Sequence, residues 1–245
     1  MEKKIDIGAS NAIWVTLAFC MAFAISFYVT NASDPSPLQD FCIAANDPNS
    51  AVNGKICKNP KDVTMSDFVF KGFDKVGDTN NTQGANATLI DIKKFSAVNT
   101  LGISIARVDF APSGLNTPHL HPLSSELFAV LEGSLYVGFV TTEYKLYDTI
   151  LKKGDIIAFP QGLIHFQLNV GEKNAMAIAT FGSQNPGRVN VAEGVFGTKP
   201  PILNDVLTQA FKVNETMIKL FRAQFTTDDV SEARKSVLTL LSNTF

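Results

Sequence analysis

The chain is 245 residues long and 45% hydrophobic, with 21 basic against 23 acidic residues and a net charge of −2. That length allows one large domain or two small ones, and the charge balance argues against a strong electrostatic nucleic-acid binder. Nineteen Phe against one Trp fit core packing better than carbohydrate stacking.

Lys3 and Lys4 precede an uncharged apolar run from Ala12 to Val29, and Thr30-Asn31-Ala32 offers small residues for cleavage. This reads as a signal peptide over 1–32. A membrane anchor is the competing reading, because the run approaches the minimum span, although Thr16 and Ser26 interrupt it. Loss of the leader removes Cys20 and leaves Cys42 and Cys57. In an oxidising compartment an even pair is read as a bridge, the alternative being two free buried thiols. The arm at 33–62 opens with Ser33-Asp34-Pro35-Ser36-Pro37, too rich in proline for regular structure. Sequons for N-glycosylation follow at Asn80 and Asn86, in a polar stretch that reads as an exposed loop, and at Asn214, which also reads as a helix cap.

From about Thr64 to Gln184 the chain shows short strands between turn signals. Leu101 to Ala106 alternates and then meets the Pro112-Ser113-Gly114 turn. Glu126 to Val140 is a hairpin candidate with Glu132-Gly133-Ser134 at its tip, Gly154 marks a further turn, and Ala175 to Phe181 is another apolar run. Many short strands without βαβ alternation predict a mainly β jelly roll or barrel over 63–203. The period changes in the tail at 204–245. Asn204 to Val213, then Met217 to Phe225, then Val230 to Leu241 carry apolar residues at helical spacing. Three short helices bury that surface either on another copy or back on their own barrel.

All three histidines fall in one constellation. His119 and His121 stand at i and i+2 of an extended segment and share a face. Glu126 is five residues beyond His121, so Pro122-Leu123-Ser124-Ser125 has to turn to bring its carboxylate back, and His165 reaches in from another strand. An H-x-H pair alone is also an ordinary surface or core feature. Three imidazoles and a carboxylate together make a mixed site for Mn, Fe, Zn or Ni. Gln167 and Asn169 share the face of His165, and Asn116 lies on the turn before His119; each is either a neighbour of the metal or a turn residue. No histidine remains for a nucleophilic triad, so redox or Lewis-acid chemistry at the metal is left.

Gly133 after Glu126, and the series Gly154, Pro160, His165, Asn169, resemble the paired signature boxes of the germin family within the cupins. Arg107-Val108-Asp109-Phe110-Ala111-Pro112, Gly162 to Gly171 and Ser183-Gln184-Asn185-Pro186-Gly187 extend the resemblance over essentially the whole secreted chain. Ser113 departs from it, standing where the family often has Gly. The resemblance implies a cupin jelly roll, a Cys42–Cys57 disulfide, manganese at His119, His121, Glu126 and His165, and hexamers built as a trimer of dimers. It further implies a secreted apoplastic or cell-wall protein, superoxide dismutation in many members and oxalate oxidation in a subset. Oxalate-oxidising members resemble one another in an Asn where this chain has Ala106; Asn116 matches their other substrate-contacting amide. A non-enzymatic wall or receptor-like glycoprotein that holds a small ligand is the alternative. Zinc in place of manganese would mark it, since zinc has no redox chemistry.

Overall fold

The computed structural model describes residues 39–45 and 55–226. The leader, most of the arm and the third apolar stripe of the tail lie outside the described residues. Residues from Cys42 onward form one unit, and those up to Phe41 belong to another.

Among the described residues ten strands build two five-stranded sheets. The first has the order β1 (Ala85–Ile90), β2 (Ser104–Phe110), β9 (Ala175–Phe181), β4 (Glu126–Glu132), β7 (Ile156–Phe159). The second has the order β10 (Val189–Asn190), β3 (Leu115–Leu120), β8 (Ile164–Asn169), β5 (Ser134–Val140), β6 (Leu146–Lys152). Every pairing is antiparallel. This is the expected mainly β cupin fold, closed face to face around one core. Alternate residues of each strand point inward. On the first sheet Val108, Phe110, Phe128, Val130, Ala177 and Ala179 are buried, and on the second Leu135 and Val137 meet them.

Glu126 to Val140 is not a hairpin, because β4 pairs with β7 and β9 while β5 pairs with β6 and β8. The chain crosses from one sheet to the other at Gly133, whose φ is +84°. A Cβ there would stand 2.5 Å from the Ala175 Cβ. Asn86 lies not in a loop but on β1, half-buried, whereas Asn80 is exposed in a loop.

The turn before β3 forms with Ser113 in the left-handed region at φ +60°. The residue that must be glycine is the next one: a Cβ on Gly114 would lie 2.1 Å from the Gly84 carbonyl oxygen.

Cys42 and Cys57 are disulfide-bonded. An antiparallel bridge between Ala44 and Cys57 runs beside the bond. Asn99, fully buried, donates from Nδ2 to Cys42 Sγ at 3.1 Å and to the Lys55 carbonyl at 3.0 Å, which fastens both segments to the fold.

Among the described residues three helices follow the sheets: α1 (Val191–Phe196), α2 (Asn204–Phe211) and α3 (Glu215–Thr226). Phe196 packs against Phe211, Phe221 and Phe225, so the three gather around one ring. Asn214 caps α3 by accepting from the Met217 N–H at 3.0 Å. Asn204 is the first residue of α2 and donates to Glu215 Oε1 at 2.9 Å. Among the described residues no helix is long and apolar enough to cross a membrane.

Candidate metal centre

His119 and His165 are direct partners across the β3–β8 ladder. Asn116 pairs with Gln167 on the same ladder, so β3 spends one residue more than β8 between these rungs. The extra residue falls at Thr117-Pro118, where proline has no N–H to give the ladder and a bulge accommodates it. The bulge turns Asn116 and His119 to the same inner face despite their odd spacing; Asn116 is therefore a buried strand residue, not part of the preceding turn. His121 follows just past β3. Pro122 to Ser125 then carries the chain across to the other sheet, where Glu126 opens β4. The carboxylate comes back to the histidines because its own sheet faces theirs.

His119, His121, Glu126 and His165 are 1–6% exposed, and one ligand atom from each lies within 4.8 Å of the others. Donors about 2.1 Å from a shared ion stand up to about 4.2 Å apart, so small side-chain adjustments close the set on a cation. Phe159 stacks on His165 at 4.5 Å, and Phe181 meets His121 edge-on at 4.8 Å. These rings wall the site from the first sheet.

Hydrogen bonds orient the imidazoles. His119 Nδ1 donates to the Thr117 carbonyl at 2.8 Å, His165 Nδ1 to the Leu163 carbonyl at 2.8 Å, and His121 Nδ1 to the Gly187 carbonyl. With Nδ1 engaged by a backbone carbonyl, Nε2 is the atom each ring turns towards a shared ion. Glu126 Oε2 lies 3.3 Å from His121 Nε2 and 3.2 Å from His165 Nε2. A carboxylate oxygen and a bare Nε2 are both acceptors. Something positive, a proton or a metal cation, has to lie between them.

Burial pushes the His119 pKa down to about 2, and Arg188 and His165 push the same way, so this ring is neutral and ready to ligate. Burial works to raise the Glu126 pKa, but hydrogen bonds from His121 and His165 overcome it and hold the carboxyl at about 2. A neutral imidazole beside an ionised carboxylate is the protonation pattern a divalent metal requires.

Comparison with known proteins gives the family. The Cupin family model matches residues 71–219. Germin-like protein 8-2 of Oryza sativa subsp. japonica is 54% identical, over 79% of this chain and 90% of that protein. The chain belongs to the germin-like proteins of the cupin family. Germin-like protein subfamily 1 member 7 of Arabidopsis thaliana is 45% identical, over 87% of this chain and 94% of the relative. A solved oxalate oxidase in complex with the substrate analogue glycolate superposes with a TM-score of 0.77 at 39% identity, covering 80% of this chain and all of that one.

Around the four candidate ligands, this germin-like chain sorts its neighbouring amides by role. Asn116 Nδ2 donates to Gln167 Oε1 at 2.6 Å, and both residues are buried on the inner face beside the histidines. Asn169 fastens a turn: its Nδ2 donates to the Ala111 and Lys173 carbonyls, and its Oδ1 accepts from the Gly171 N–H. Sequence reasoning passed over Arg188, whose Nη2 donates to Asn116 Oδ1 at 2.8 Å. Its only signal was its place next to Gly187, at the end of a motif-bearing turn. Ala106 is buried on the inner face of β2, in a row with Ala179 and Phe128 that adjoins the row of Glu126.

Proposed function

We propose that the chain is a secreted manganese protein that dismutates superoxide and does not oxidise oxalate. One observation carries the reading: ligand atoms of three histidines and one carboxylate, all buried, converge within 4.8 Å of one another, as donors to a single metal ion would. The donor set is nitrogen and oxygen without thiolate, which suits manganese. Manganese bound there supplies a one-electron couple and an open coordination position. The protein's residues do the rest. Backbone carbonyls fix the three ring orientations, Glu126 adds the negative charge, and Phe159 and Phe181 keep bulk water away.

Oxalate needs more than an open position. A small dianion has to be held by hydrogen-bond donors, and an unpaired carboxylate oxygen in such a site costs about 1–3 kcal/mol. Ala106 offers a methyl group, and the Asn116 amide is turned towards Gln167. The oxalate oxidase likeness therefore supports the metal centre and the fold more strongly than the substrate.

Export is supported by the N-terminal leader and by the Cys42–Cys57 bridge, which suits an oxidising compartment. The test is to purify the secreted protein, load it with manganese, and measure superoxide and oxalate turnover side by side. Superoxide removal without peroxide release from oxalate is expected. Enzymatic oxalate oxidation would overturn the substrate reading. Inertness towards both, with zinc as the resident metal, would turn it towards a ligand-binding wall protein.

A further inference from the structure

Arg188 follows the turn whose Gly187 carbonyl accepts from His121, and its guanidinium reaches back over the inner face. Nη2 donates to Asn116 Oδ1 at 2.8 Å and Nε to Asn190 Oδ1 at 2.6 Å. A guanidinium has donors and no acceptor, so the Asn116 atom it meets has to be the oxygen. The Asn116 amide nitrogen is then turned the other way, and it donates to Gln167 Oε1 at 2.6 Å. Gln167 has thereby spent its oxygen. Its Nε2 is left as a buried donor without a hydrogen-bond partner among the described residues, on a side chain that is 0% exposed.

Without the arginine the two amides could rotate together and still bond each other, leaving either a donor or an acceptor at the far end. Arg188 removes that freedom. The rung it controls adjoins the His119–His165 rung on the same inner face, two residues and so about 7 Å along the strand. Buried donors are rarely left unpaired, and the nearest expected occupant is a ligand in the open position of the metal.

We propose that Arg188 is a positioning residue for anion binding at the metal centre: through Asn116 it locks Gln167 so that Nε2 donates to a small anionic ligand of the metal. The ligand class is a compact oxyanion or pseudohalide able to accept one hydrogen bond. This rests on the metal-centre reading above and adds what selects among its ligands. Arg188 is exposed as a whole residue, but its guanidinium is partly desolvated where it meets Asn116, and methionine keeps much of its side-chain volume.

The probe is azide, titrated into the manganese-loaded full chain and followed by the manganese EPR spectrum. Arg188→Met and Gln167→Met should each weaken azide about tenfold, the loss of one good hydrogen bond, with metal content unchanged. The double variant should be no weaker than Gln167→Met alone, because both changes remove the same contact. Asn116→Leu, which cuts the relay and leaves the arginine in place, should weaken azide equally; it serves as the second test if Arg188→Met does not fold. Azide affinity that is unchanged in Arg188→Met, or losses that multiply in the double variant, would overturn the relay while leaving the metal-centre reading standing. Wild-type protein that holds manganese and shows no azide response would overturn the open position, and the relay with it.

Discussion

At the residue scale burial keeps His119 neutral and hydrogen bonds keep Glu126 ionised, and both have a consequence in acid. His119 titrates near 2 in the folded chain against 6.5 as a free group. Below 6.5 the unfolded chain takes up a proton that the folded chain refuses, so stability falls as pH drops. Glu126, held near 2 against 4.5, adds a second loss below 4.5 in the same direction. The thermal midpoint of metal-free protein should therefore fall continuously from about pH 7 to about pH 4, and His119→Asn should flatten the upper part of that range. A wild-type midpoint that stays level across it would refute the buried neutral imidazole. The cluster of His119, His121, Glu126 and His165 was legible in the sequence because histidine is scarce here and the spacings are tight. The relay was not. Which way an amide points depends on partners distant in the chain, and Arg188 meets Asn116 only once β10 lies against β3.

At the element scale, alternation tells which face of a strand is buried but not which sheet the strand joins. That is why β9 was legible as Ala175 to Phe181, while the connection at Gly133 read as a hairpin and is a crossing between sheets. The Pro118 bulge was hidden for a similar reason, since register belongs to two strands at once. Gly133 carries the crossing, with φ at +84° and Ala175 packed against it. Gly133→Ala combines left-handed strain with overpacking and should cost about 2–4 kcal/mol in denaturant unfolding. Gly154→Ala is the control. Its φ is +96° but nothing lies within 4 Å of the added carbon, so it pays the strain alone, about 1–2 kcal/mol. Equal losses at the two positions would contradict the close packing at the crossing.

At the scale of the whole molecule, the outward face of the first sheet is the feature most at odds with a lone chain. Ile156 is 64% exposed, Ile103 55% and Leu127 54%, beside a cavity of about 630 Å³ lined by Ile90, Phe95, Val98 and Phe181. The described helical tail gathers Phe211, Phe221 and Phe225 around Phe196 but still leaves Val206 52% and Phe211 46% exposed. Assembly of several copies, expected from the tail, is supported by the sheet as well, because patches of this kind usually mark an interface. Light scattering at micromolar concentration should give a mass several times that of one chain, and Leu127→Lys with Ile156→Lys should lower it. A clean wild-type monomer would refute assembly. The claim on which everything else rests is the metal centre itself, and elemental analysis of the purified protein tests it most directly. Wild type should carry one manganese per chain, and His121→Ala and Glu126→Ala should each lose most of it while remaining folded. Metal content unchanged in both variants would contradict the account.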